Sequence, residues 1–388
     1  MTIKARDNFP DILRGFALFG IAIVNVQFFS ISTFNGAESL DLSQPENGTV
    51  AFIIWWLFQS KFYLLFSFLF GYSAHYVIKS EKSNRRRWIG RSIGLVLLGA
   101  IHLSFFFHGD ILFFYGALGL LLTAFYFRKD RTVKVWAWII YIFAALIFTA
   151  LAVLTFLGEF FFASKGKTLP ADLYIDVLDV ALANGNFLEI AAARVELWSV
   201  FAAQGFLLQG PLVFVAFLVG VLVARKGGLA ENVSPKLMKR FAAWGLTLGL
   251  AIQAIAAYLF VQSTQMESYA LGVYLSSVGL NLISAPLMSA GLVGGLWLVS
   301  QKFKLPLLSA AGRQSLSVYL GQSVVFSTLF SAWGFGLFAE VSLLGVVAIA
   351  AWTWFTLAIL AQINLRYRDR GPMEALLSNF SKLFERKK

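Results

Sequence analysis

Residues 8–30 read NFPDILRGFALFGIAIVNVQFFS. A bilayer core of about 30 Å is crossed by roughly 20 helical residues, and this run is long and apolar enough to do so. It nevertheless opens with Asp11 and Arg14 and carries Asn25 deep inside. An ionisable side chain in a span costs about 2.5–3.5 kcal/mol on insertion scales and usually faces a bundle interior or a watery cavity. Arg14 and Asn25 are eleven residues apart, three turns and about 20°, so they share one helix face about 16 Å apart. Asp11 and Arg14, at i and i+3, can pair.

Composition extends that reading to the whole chain. Of 388 residues 59% are hydrophobic and only 13% charged, about half the charge of a soluble domain. Stretches of spanning length fall near 13–31, 52–78, 89–107, 111–127, 134–157, 199–224, 238–262, 272–300, 314–333 and 339–363. The expected fold is therefore all-α, a polytopic integral membrane bundle of about ten helices. Lys and Arg concentrate in alternate loops, among them Lys79, Lys82 and Arg85–Arg87. The intervening loops are poor in them and often acidic, with Glu38, Asp41 and Glu46, then Asp172, Asp176 and Asp179, then Glu267 and Glu340. By the positive-inside rule both termini are expected in the cytoplasm, in a bacterial inner membrane. The +12 net charge is thereby assigned to topology and not to nucleic acid. With no cysteine, thiolate metal sites and cysteine nucleophiles are excluded; no metal is expected.

The chain reads as one membrane domain, 1–388: five spans in 1–157, an extracytoplasmic connection 158–198, and five spans in 199–388. In the connection, Leu173, Val177 and Val180 recur at helical spacing and suggest a surface amphipathic helix. Small residues in spans three to eight permit close packing and a homodimer; beyond that, membrane lipids are the expected surroundings.

Polar residues inside spans are where function should sit. Lys61 lies too deep in the second span for easy snorkelling, and Tyr72 and His75 share its face. His102 is intramembrane, with Asp110 eight residues on and Tyr115 one turn further; His108 sits in the loop between. Pro286 interrupts the eighth span. Gly312 and Arg313 open the ninth, which carries Tyr319 and Gln322, a large amide that needs several partners.

The segments DILRGFALFGIAIVN, KFYLLFSFLFG, GAIHLSFFFHGDILFFYGALG, AAGRQSLSVYLGQS and RDRGPMEALL resemble, in order and over nearly the whole chain, the YeiB-like family of bacterial membrane proteins. That family has no assigned function. One departure is visible: Ser317–Val318–Tyr319 stands where the family usually has threonine–asparagine–tyrosine. The opening pattern is also similar to the first span of transmembrane acyltransferases, such as heparan-alpha-glucosaminide N-acetyltransferase and acyltransferase family three. That resemblance implies a cytoplasmic acyl-CoA donor (acetyl-CoA the simplest), an acceptor on the far side that is a small molecule or glycan, Arg14 at the CoA entry and Asn25 along a tunnel. On this basis His102 is the candidate base or transient acyl acceptor, oriented by Asp110 or Tyr115. Lys61, Asn25 and Gln322 would polarise the acyl carbonyl, and Arg313 and Tyr319 would line the cavity with Asp11 and Arg14. The alternative is a secondary transporter, with Lys61, Asp110 and the Pro286 break forming a path at the midplane.

Overall fold

The computed structural model describes residues 8–79, 81, 84–167, 177–229 and 233–385; Lys82, Asp172, Leu173 and Asp176, named above, lie outside them. All regular secondary structure among the described residues is helical. In chain order the helices are α1 (Phe9–Asn25), α2 (Gln27–Ser30), α3 (Pro45–Ile53), α4 (Lys61–Ile78), α5 (Arg85–Phe105), α6 (Leu112–Tyr126), α7 (Asp130–Ala163), α8 (Val177–Asn184) and α9 (Phe187–Glu196). They continue with α10 (Trp198–Gln204), α11 (Gly210–Arg225), α12 (Pro235–Arg240), α13 (Leu246–Ser263), α14 (Ala270–Lys302), α15 (Pro306–Arg313), α16 (Ser315–Phe330), α17 (Leu343–Tyr367) and α18 (Pro372–Lys382).

Eight continuous or near-continuous helical stretches are long and apolar enough to span a membrane, and α6 and α16 are shorter apolar helices. Together they occupy the ten stretches expected. The chain is a multi-pass helical membrane protein, and the apolar faces of α7, with Trp138, Phe143 and Leu154 well exposed, are what a lipid-facing helix requires.

Three spans contain a π-helical turn, at Ile54–Phe58, Gly205–Gln209 and Phe241–Gly245. The first has the largest consequence. It ends at Gln59 and at Ser60, whose φ of 70° is left-handed, so the second span is two helices and not the single run expected. Pro286, by contrast, lies inside the unbroken α14. In the 158–198 connection the described part of the expected helix is α8: Val177 and Val180 are exposed on it, while Leu178 and Leu182 pack against Ile190 and Phe201.

Helices meet where side chains are smallest, as expected when lipid offers no hydrophobic drive between them. A Cβ on Gly71 of α4 would lie 2.2 Å from the Phe217 carbonyl oxygen of α11. A Cβ on Gly312 of α15 would lie 1.8 Å from the Asp11 carbonyl oxygen. Only glycine allows either approach. The second contact joins the DILRG and AAGRQS segments, 300 residues apart, at one end of the bundle.

Candidate functional site

The break in the second span builds one wall of the site. Where the π turn stops, the Trp55 carbonyl accepts from Lys61 Nζ at 2.7 Å and from Asn281 Nδ2 at 3.3 Å. Lys61 is fully buried, and its Nζ sits at the carbonyl end of a helical segment, the end that carries partial negative charge. Asn281 is held in turn by Gln253, its Nδ2 donating to Oε1 at 2.8 Å while Gln253 Nε2 donates to the Asn281 carbonyl at 2.9 Å. The Trp55 ring stacks on Phe260 at 3.9 Å between centroids. Irregular backbone at membrane depth is tolerated only where protein or a watery cavity satisfies it, and π turns often mark functional sites.

Beside this wall lies a cavity of about 280 Å³. Asn25 and Ile21 of α1 line it, with Trp55, Phe58, Gln59 and Tyr63 from the broken span. Gln27, the turn bearing Glu38, the loop Phe107–Ile111, Gln209 of the second π turn, and Tyr274 of α14 complete it. The Gln27 amide is used at both ends: Oε1 accepts from Ala37 N at 2.9 Å and Nε2 donates to the Val24 carbonyl at 3.0 Å. It thereby fixes the short turn Gly36–Ser39, and with it Glu38. Burial pushes the Glu38 carboxyl up to about 7, partly opposed by its hydrogen bond with Tyr274. His108 donates from Nε2 to the Thr33 carbonyl at 2.7 Å; burial, with the nearby Arg194 guanidinium adding to it, brings this imidazole down to about 3, so it is neutral.

Asp110 connects the cavity to a buried polar network. Its Oδ1 accepts from His102 Nδ1 at 2.7 Å, and its Oδ2 accepts from Phe113 N at 2.7 Å, capping α6. The Tyr319 hydroxyl also bonds to this carboxyl, and accepts from Ile111 N at 3.3 Å. With Nδ1–H committed to a carboxylate, the other imidazole nitrogen is an acceptor. That atom, His102 Nε2, is buried and has no hydrogen-bond partner among the described residues. His102 itself stands behind the cavity wall, its ring 5.3 Å from that of Tyr319. Tyr115 is one step further back, with its hydroxyl 2.6 Å from Ser67 Oγ and donating to the Tyr63 carbonyl at 3.1 Å.

The expected residues thus divide between two places. His102, Asp110, Tyr115 and Tyr319 come together, and Asn25 joins Asp110 in the cavity wall. Lys61 and Gln322 are turned to backbone carbonyls, of Trp55 and of Leu18 at 3.3 Å, and line nothing. Asp11, Arg14 and Arg313 lie at the opposite, basic end. There Arg14 Nη1 donates to Asp11 Oδ1 at 2.7 Å, and Arg313 reaches the Asp369 carbonyl at 3.5 Å. The RDRGPMEALL segment joins them, because Glu374 of α18 accepts from Leu316 N at 2.6 Å, Ser317 N at 3.2 Å and Ser317 Oγ at 2.5 Å. It caps the start of α16. Arg91, within electrostatic reach of Arg14 and Glu374, keeps a buried Nε with no partner among the described residues.

Sequence reasoning missed Trp55, Gln59, Gln209 and Tyr274, and read Glu38 only as a loop charge. An apolar run gives no sign that it breaks at Gln59, but the acidic residue three positions past Asn35 was visible. Among the described residues no three His, Cys, Asp or Glu side chains form a group suited to a metal ion.

Residues 223–382 match the family model DUF418, described as a protein of unknown function. Over 390 residues the chain is 27% identical to the uncharacterized protein YxaH of Bacillus subtilis (strain 168), covering 94% of this chain and 92% of that one. Over 380 residues it is 28% identical to the uncharacterized protein YeiB of Escherichia coli (strain K12), covering 94% of each. An uncharacterized 39.9 kDa protein in the amylase 3′ region of Bacillus acidopullulyticus is 30% identical over 149 residues, 36% of this chain and 41% of that one. No solved structure matches the chain.

Proposed function

Starting from the chain's place among YeiB-like multi-pass membrane proteins, we propose that it is a transmembrane acyltransferase. It moves an acyl group from acyl-CoA at the basic, cytoplasmic end to an acceptor held in the cavity at the other end. The observation that carries this reading is the Asp110–His102 pair: a carboxylate in the cavity wall fixes a buried imidazole whose second nitrogen is left unpartnered. That is the arrangement of an oriented general base.

Acyl-CoA supplies a thioester carbon and anionic phosphates. At the basic end Arg14 and Arg91 are suited to the phosphates, and the unpaired Arg91 Nε–H is a donor that such an anion would satisfy. From behind the cavity wall, His102 Nε2 would take the proton of the acceptor hydroxyl or amine as its oxygen or nitrogen attacks the thioester carbon. The C–S bond breaks, and the departing thiolate recovers that proton from the imidazolium. Asp110 holds the ring and stabilises its charged form, and the Asn25 amide is placed in the wall to donate to the carbonyl oxygen. Phe62 of α4 lines the cavity; its ring packs over Gly20, where a Cβ would lie 2.1 Å from it, and stacks on Phe58.

One observation favours the second reading, secondary transport: a cation-bearing break in a span, with a helix end and unwound backbone facing a cavity, is a common way to build a transport site. The test is acetyl-CoA binding by purified protein, wild type against Arg14→Ala and Arg91→Gln, followed by acetyl transfer with His102→Ala. Binding lost in the arginine variants and transfer lost in His102→Ala support acyl transfer. Wild-type protein that binds no acetyl-CoA leaves transport as the better reading.

A further inference from the structure

The charge in the cavity wall has one sign. Glu38 and Asp110 line it, no lysine or arginine among the described residues does, and His108 is neutral. The buried cations nearby are turned away: Lys61 and Arg194 each donate to a backbone carbonyl, of Trp55 and of Phe105 at 2.7 Å, and neither lines the space. Much of the remaining wall is aromatic, including Trp55, Phe58, Phe201 and Tyr274, and ring faces attract cations.

Of the wall residues whose buried polar atoms lack a partner among the described residues, the Tyr63 hydroxyl lies beside Ser60, and the other two are Trp55 Nε1, a donor, and Gln59 Oε1, an acceptor. Buried polar atoms are nearly always paired, and one left unpaired costs its full desolvation penalty. Both belong to the break in the second span, so the irregular backbone presents one donor and one acceptor, four residues apart in sequence, to whatever the cavity holds.

These features sort ligand classes. A carboxylate or phosphate would meet two acids and no cation. A hydrocarbon would leave both orphan atoms unpaired, and a plain alkylamine would leave Trp55 Nε1 unpaired. A polyol pairs both but leaves Glu38 unanswered. We infer that the cavity binds a small primary ammonium compound that also carries an oxygen acceptor, such as an amino alcohol or amino sugar. Its ammonium answers Glu38 and Gln59 against the aromatic wall, and its oxygen answers the Trp55 indole. This names the acceptor of the transfer proposed above, but it rests on the cavity alone and holds equally for a transported cargo.

The test uses full-length protein in detergent, without acyl-CoA, titrated calorimetrically with serinol and with glycerol, which differ only by an amine in place of the central hydroxyl. Serinol should bind saturably and at least about tenfold more tightly than glycerol, the scale of a desolvated cation–π contact with a carboxylate partner. Glu38→Gln should erase that preference, and Trp55→Phe should weaken both probes by a similar factor. Gln59→Met, which leaves the Glu38 turn untouched, should reduce serinol binding if Glu38→Gln proves poorly folded. Equal binding of the two probes, serinol binding unchanged in Glu38→Gln and Gln59→Met, or no saturable serinol binding overturns the inference. Serinol that binds but receives no acetyl group from acetyl-CoA removes the acyltransferase reading and leaves this one standing.

Discussion

Lys61→Met keeps the length of the side chain and removes its charge. The lysine is wholly buried in a span, a placement that costs about 2.5–3.5 kcal/mol. Against this, its one hydrogen bond, to the Trp55 carbonyl, returns about 1.5–3 kcal/mol as a charged donor. Removing it does not orphan that carbonyl, because Asn281 Nδ2 still donates to it. Methionine fills nearly the same volume, so the overpacking and cavity penalties stay small. The balance is a change near zero or a gain of about 1 kcal/mol, whereas Lys61→Ala, which empties the site, should lose about 2–4 kcal/mol. Equilibrium unfolding in mixed micelles, followed by tryptophan fluorescence, measures both. In the same preparations Lys61→Met should bind serinol more weakly, because the Trp55 segment loses one of its two anchors. A methionine variant destabilised by more than about 2 kcal/mol, as for a broken buried polar network, would refute the reasoning: the lysine would then be holding the fold and not the shape of the wall.

Other consequences can be measured on the same material. Asp110→Asn removes the carboxylate shared by His102, Phe113 N and Tyr319; a loss of about 3–5 kcal/mol is expected, and a thermal melt within error of wild type would contradict the network. Glu38 has a folded value raised from 4.5 to about 7, so folding disfavours its charged form. Its contribution is fully present below about 4.5 and is lost as pH rises through about 7. Of the titratable groups that share its cavity, Tyr274, Tyr63, His108 and Asp110, His108 at about 3 is already neutral in that window. Stability should therefore fall across it in wild type and stay flatter in Glu38→Gln; identical profiles would exclude Glu38 as the source. Gly312→Ala drives a methyl into the Asp11 carbonyl and should destabilise by about 1–3 kcal/mol; a melt unchanged from wild type would contradict the close contact of α1 with α15.

The spans could be read from sequence because a bilayer imposes a length and an apolar composition on any helix that crosses it. The pairing of His102 with Asp110 was also legible, since eight residues around a tight loop leave little freedom. Arg14 and Asn25 both lie on α1, but only Asn25 reaches the cavity, and Arg14 is tied to Asp11 at the other end. What was hidden depends on neighbours distant in sequence. Pro286 is the strongest helix breaker in the chain, yet α14 runs through it, because flanking helices can satisfy the carbonyl that a membrane proline frees. Ser60 carries no such signal and is where a span breaks, held by Lys61 and by Asn281, more than two hundred residues away. Glu38 sits among loop residues that composition reads as solvated, and only the Gln27 amide, invisible as a cap in sequence, turns it inward.

The two short apolar helices have a consequence for the membrane itself. α6 has 15 residues and α16 has 16, about 22 and 24 Å of helix, against a hydrocarbon thickness of about 30 Å. They carry Tyr115 and Tyr319, and they meet at the loop that holds Asp110. A bilayer that matches the other spans is too thick here by several ångströms, and it must thin around this side of the protein at a fraction of a kcal/mol per ångström. Where these two helices meet lipid, chains shorter than those matching the other spans relieve the strain.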